Sequence, residues 1–167
     1  MIPPVDWQTQ NGIMKYMRGN GNLQNAVVRA VLEEFRPRFI PQGLVLWVNE
    51  ARKPAIDVSD EDVRELGLKR GQRRQLPNVV LHDKERGWLV LIDVPGIRGP
   101  MSAKRRDALR RAFGAGGFTL VAVNAFKSRL ELQELLAEPP WGTSAWIADE
   151  PDHMIHFNGP KFLGPYK

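Results

Sequence analysis

The chain has 167 residues, 43% hydrophobic and 26% charged, enough to bury one core and too apolar for wholesale disorder. Twenty-four Lys and Arg against nineteen Asp and Glu give a net charge of +5 and a pI near 9.8, a balance that suits a polyanionic partner. The lack of cysteine excludes disulfides, thiol catalysis and Cys-ligated zinc, and no apolar run approaches the length of a membrane span.

The N-terminal text MIPPVDWQ has no charged start followed by an apolar stretch, so it does not read as a signal peptide, and the expected location is cytoplasmic. Residues 1–21, with Pro3, Pro4, Gly12 and Gly19, predict an irregular segment, and residues 22–167 a single domain. From Asn22 or Asn25, Leu23, Val27, Val28, Val31, Leu32 and Phe35 recur at helical spacing until Pro37, which is expected to end the helix. A strand follows at Leu44–Val48. Residues 57–67 predict a short helix, with Ser59 as N-cap and Gly67 after its last turn.

A basic loop, Lys69 to Arg74, leads into a hairpin whose strands are Val79–Leu81 and Trp88–Ile92 and whose tip is Asp83 to Gly87. A Pro- and Gly-rich loop, 94–100, precedes a helix capped by Ser102, with Ala108, Leu109, Ala112 and Phe113 as its buried face and Lys104, Arg105, Arg106, Arg110 and Arg111 on the remainder. After a glycine-rich break come an apolar strand at Phe118–Val123, a helix holding Leu130, Leu132, Leu135 and Leu136, and strands at Thr143–Ala148 and Met154–Phe157. Trp141, Trp146 and Phe157 are expected in the core. His153 and His156 lie on a non-helical stretch without a third ligand, so they predict hydrogen-bonded imidazoles and not a zinc site. This order predicts an α/β fold with a central sheet covered by helices.

The hairpin also places chemistry. Asn78 opens its first strand and Asp93 closes its second, and antiparallel pairing brings those two positions to one end of the sheet. Oxygen ligands with a cation nearby are what a Mg²⁺-dependent phosphodiester-cleaving site needs. An acid that merely caps the next turn is the plainer account of Asp93. The cations on both sides of the hairpin suit the phosphates of duplex DNA, and Ser102 with the amides beside it adds a dipole favourable to phosphate.

Three ordered blocks are similar to the catalytic domain of the BsuBI/PstI restriction endonuclease family, within the PD-(D/E)XK nuclease superfamily. They are LPNVVLHDKERGWLVLID (76–93), GPMSAKRRDAL (99–109) and TSAWIADEPDHMIHFNGPKFLGPY (143–166). The resemblance implies a restriction-endonuclease-like mixed sheet with helices on both faces, Mg²⁺ as cofactor, double-stranded DNA as substrate and a homodimer. Within it, Pro77-Asn78 stands where the family has Pro-Asp, and Asp93 where it has Glu. The lysine expected two residues later is replaced by Pro95, leaving Lys104 as the substitute. The implied catalytic set is therefore Asn78, Asp93 and Lys104, with Asn78, Asp93 and Glu50 toward the metal and Arg73, Arg74, Ser102, Arg105 and Arg106 toward DNA.

Asn78 brings no charge, and three readings stay open: an engineered Asp→Asn change, a natural loss of catalysis, or another acid supplying the charge. Glu50 is better placed for that than Asp83, which lies near the hairpin tip. The alternative function is an inactive DNA-binding or interaction module on a nuclease fold.

Overall fold

The computed structural model describes residues 9–18, 23–50, 54–56, 64, 66–69 and 75–165. Its frame is a seven-stranded mixed sheet in the order β2-β1-β3-β4-β5-β6-β7, where β1 is Leu44–Asn49, β2 Pro54–Ile56, β3 Val79–Asp83, β4 Trp88–Asp93, β5 Thr119–Phe126, β6 Ser144–Ile147 and β7 Met154–His156. Strands β2, β1, β3 and β4 form an antiparallel block in which β1 lies between β2 and β3. Then β5 and β6 join in parallel, and β7 closes the far edge antiparallel to β6. Both edge strands, β2 and β7, are three residues long.

Side-chain alternation divides the sheet into two apolar faces. Val79, Leu81, Val90 and Ile92 face one way, against Val27, Val28, Val31, Leu32 and Phe35. Val80, Leu89 and Leu91 face the other, against Leu109, Ala112 and Phe113. The predicted mixed sheet with helices on both faces is the fold observed. The apolar runs of β3 and β4 follow from this, because a strand covered on both sides has no solvent face to keep polar. Trp146 and Phe157 are buried as expected, whereas Trp141 is half-exposed at 53%.

The helix after Asn25 departs from expectation. Asn25 caps it, its Oδ1 accepting from Val27 N (2.9 Å) and Val28 N (3.1 Å). Yet the helix runs on through Pro37 as α2 (Ala26–Ala30), a π turn (Val31–Phe35) and α3 (Arg36–Phe39). Proline cannot donate to the carbonyl four residues back and its ring crowds it, and the wider π turn accommodates both defects.

The carbonyls of Leu32 and Glu33 receive the Gln10 amide instead, at 3.4 Å each. Gln10 belongs to a helix, α1 (Gln10–Arg18), where irregular chain was predicted. Thr9 caps α1 by accepting from Gly12 N, and Ile13 is fully buried. A nine-residue segment with Gly12 inside it has little helical propensity of its own, so packing and the Gln10 contacts hold it.

Most of the helix predicted over 57–67 lies outside the described residues, as do Arg73 and Arg74. Beyond the hairpin, α4 (Pro95–Arg98) forms a single turn within the predicted loop, and α5 (Ala103–Phe113) is the basic helix. Ser102 caps α5, its Oγ accepting from Arg105 N at 3.1 Å. Helix α6 (Arg129–Gln133) continues as a 3₁₀ stretch over Glu134–Ala137.

Candidate active site

Residues 78 and 93 do come together. Val79 pairs with Ile92, so Asn78 and Asp93 flank one end of the β3–β4 ladder. Both are buried, Asn78 at 1% exposure and Asp93 at 0%. Their polar atoms are committed to different partners.

The Asn78 carboxamide ties three strands. Its Oδ1 accepts from Val94 N (2.8 Å), just past β4, and its Nδ2 donates to Asn49 O (2.8 Å), at the end of β1. Its backbone carbonyl accepts from Asn49 N at 2.7 Å. The assignment of oxygen and nitrogen is fixed by these neighbours, because Val94 N–H can only donate and Asn49 C=O can only accept.

Asp93 meets a guanidinium. Arg105 Nε donates to Oδ2 at 2.6 Å and its NH2 group to Oδ1 at 3.2 Å. The same NH2 group also donates to Gln75 O at 3.2 Å. Helix geometry explains why Arg105 reaches this point and Lys104 does not. Asp93 falls on the same sheet face as Leu89 and Leu91, which α5 covers with Leu109 and Ala112. Arg105 is one turn before Leu109 and shares its side of the helix, whereas Lys104 is rotated by about 100° from it.

Lys104 is exposed and lines a groove of about 760 Å³ with Gly99, Ser102, Phe126, Leu135 and three glutamates, Glu131, Glu134 and Glu138. Arg106 turns from the site to Asp107 and to the carbonyl of Trp141. Arg110 and Arg111 are exposed.

Two other expected acids are also in use. Glu50 lies beyond β1, which does neighbour the hairpin, but its Oε2 accepts from Gln24 N (2.8 Å) and its Oε1 from Asn25 N (2.6 Å), ahead of α2. Asp83 is at the hairpin tip, where it accepts from both the amide and the guanidinium of Arg86.

A divalent ion of the magnesium type needs several free, mostly anionic oxygens. Here Asn78, Asp93 and Glu50 spend theirs on protein donors, and among the described residues no group of three or more His, Asp or Glu assembles to hold a metal. As arranged, the residues do not fit the ion.

Several supports escape sequence reasoning. Asn124 is fully buried beside Asp93 in the β4–β5 register, and both ends of its amide bond Met101, at 2.6 and 3.1 Å, which fixes the approach to α5. Trp47 Nε1 donates to Pro77 O (2.9 Å) and Arg98 to Leu76 O (2.6 Å), so the two residues before Asn78 are held as well. Burial holds the Arg98 guanidinium below its usual range; the Arg105 charge pushes the same way and Asp93 opposes. Asn124, polar within the otherwise apolar run from Leu120 to Phe126, was the available signal.

This antiparallel block, followed by a crossover helix and parallel strands with paired polar groups at the end of the central hairpin, defines a restriction-endonuclease-like nuclease-fold domain. The match at the level of family is equally direct. Residues 9–160 match the model of the BsuBI/PstI restriction endonuclease domain, and the chain belongs to that family.

Among curated relatives, the type II restriction enzyme BsuBI of Bacillus subtilis is 35% identical over 141 residues, covering 84% of this chain and 45% of that enzyme. The type II restriction enzyme AplI of Arthrospira platensis is 33% identical over 146 residues, with the same coverages of 84% and 45%. The solved structure of SdaI restriction endonuclease superposes with a TM-score of 0.77 at 40% identity, over 87% of this chain and 46% of that one. The chain thus spans less than half the length of the curated relatives it matches.

Proposed function

We propose that this domain engages duplex DNA at the sheet end where Asn78, Asp93 and Arg105 meet, as a binding module on a restriction-endonuclease fold. The observation that carries this reading is the Asp93–Arg105 pair, in which the carboxylate at that end is already neutralised by a guanidinium, with Arg98 close by. The local charge is left positive where the family resemblance puts the scissile phosphate. Exposed Arg110 and Arg111 on α5 extend the cationic surface, and Arg73 and Arg74 lie in the sequence just before the hairpin.

Phosphate contacts of this kind give affinity that falls steeply with salt. Fluorescence anisotropy with a labelled duplex across a salt series is expected to show that slope. Binding that is absent at low salt sinks the reading.

The second reading is a Mg²⁺-dependent type II restriction endonuclease domain, with Asn78, Asp93 and Glu50 toward the metal, Lys104 toward the attacking water, and two copies each serving one strand of a palindromic site. The position of residues 78 and 93 at one end of adjacent strands favours it, as do the restriction enzymes to which the chain is similar. It requires Arg105 to release Asp93. Duplex cleavage in Mg²⁺ or Mn²⁺ that disappears in Asp93→Ala establishes this reading. Salt-dependent binding with no cleavage in either ion establishes the first.

A further inference from the structure

We infer that Arg105 stands in the place of the divalent cation, and that Asn78 has become a structural clamp, so this end of the sheet is a closed, metal-free centre that restoring an acid at position 78 alone does not reopen. The inference concerns the same sheet end as the DNA-binding reading, but it is a property of the free protein and holds whether or not DNA binds.

Arg105 makes three contacts, two to the carboxylate oxygens of Asp93 and one to Gln75 O. A fork–fork pair of this geometry satisfies both oxygens of the acid and its charge together, as a bound cation would. The arginine is also built in: it comes from the core-facing side of α5, one turn before buried Leu109. An ion seeking Asp93 must therefore displace a charge held by its own helix.

The clamp is selective for a carboxamide. Asn78 must accept from Val94 N–H and donate to Asn49 C=O, and no carboxylate does both. In Asn78→Asp the oxygen replacing Nδ2 faces the Asn49 carbonyl, two acceptors with nothing between them. That pair is itself a fragment of an oxygen site. With Arg105 still on Asp93 it has too few ligands and too little charge to hold an ion, and with Arg105 removed it gains the second carboxylate.

The experiment is a titration of the free protein with Mn²⁺, read by the loss of the free-ion electron paramagnetic resonance signal. It is run on wild type, Asn78→Asp, Arg105→Met and the Asn78→Asp/Arg105→Met double variant, each checked for folding by circular dichroism. Wild type and both single variants are expected to show no saturable site. The double variant alone is expected to gain one.

Saturable binding by wild type or by Asn78→Asp overturns the inference. So does a folded double variant that binds no Mn²⁺, because Arg105 would then not be occupying the cation's position. If the methionine double variant fails to fold, Arg105→Gln replaces Arg105→Met in the pair, with the same criteria. None of these outcomes depends on DNA, so a failure here is distinct from a failure of DNA binding.

Discussion

At residue scale, the clearest expectation concerns what Asn78 and Arg105 hold. Asn78→Ala leaves the buried Val94 N–H without its acceptor and removes a donor from Asn49 C=O, and should cost about 2 kcal/mol in urea unfolding. Arg105→Met strands the Asp93 carboxylate under the helix and should cost about 3 kcal/mol, the low end of the range because Arg105 retains some exposure. The Asp93→Asn/Arg105→Met double variant should recover much of that loss, since it removes the orphaned charge. A double variant no better than Arg105→Met would show that packing, not charge, is what Arg105 supplies. The pairing of positions 78 and 93 was legible in the sequence because strand ends meet by geometry alone. The choice of Arg105 over Lys104 was not legible from closeness to the motif, which points to Lys104; it follows from the position of Arg105 one turn before buried Leu109. The clamp was not legible either, since Val94 and Asn49 are 16 and 29 residues from Asn78 and only the completed sheet brings them close.

At the scale of elements, the hairpin read cleanly because alternation and turn chemistry agree. Gly87 closes its tip with a positive φ of 68°, which a residue without Cβ adopts at little cost. Burial pushes the Asp83 carboxyl up, but the amide and guanidinium of Arg86 outweigh it and hold the group below the usual carboxylate range. A carboxyl whose folded value is depressed adds stability that is present above its unfolded value and is lost as pH falls through the folded one. Melting temperature should therefore drop on the acid side of about pH 4, and Asp83→Asn should flatten part of that limb. An unchanged acid limb in the variant would show that the tip contributes nothing.

The helix through Pro37 could not be read in advance. Proline is a sound stop signal until another segment supplies the missing donor, and here that donor is Gln10, more than twenty residues upstream. Helix α5 was legible in its cap and in Leu109, Ala112 and Phe113, but not in Arg105, which joins the covered side, and its exposed arginines carry a test of their own. Arg110→Gln and Arg111→Gln should each lower the salt slope of duplex binding by up to about one, with affinity falling alike on unrelated sequences. A slope that does not move would place the DNA on another face.

For the whole molecule, the succession of elements along the chain and the covering of the sheet on both faces followed from the run of apolar segments, whereas the order of strands within the sheet and the short β2 did not. What eluded that logic were the polar joints, Asn78, Asn124, Trp47 and Arg36. The last of these is buried, with Nε on Gly43 O at 2.8 Å. Their meaning depends on partners that pattern alone does not reveal. One architectural trait bears on how copies could assemble. The sheet ends on either side in a strand of only three residues, and β2 begins with Pro54, which has no amide hydrogen to offer. Among the described residues, such borders offer a neighbouring subunit little backbone with which to extend the ladder. For the paired copies of the second reading, this favours contact through helices or loops, with each sheet a separate unit.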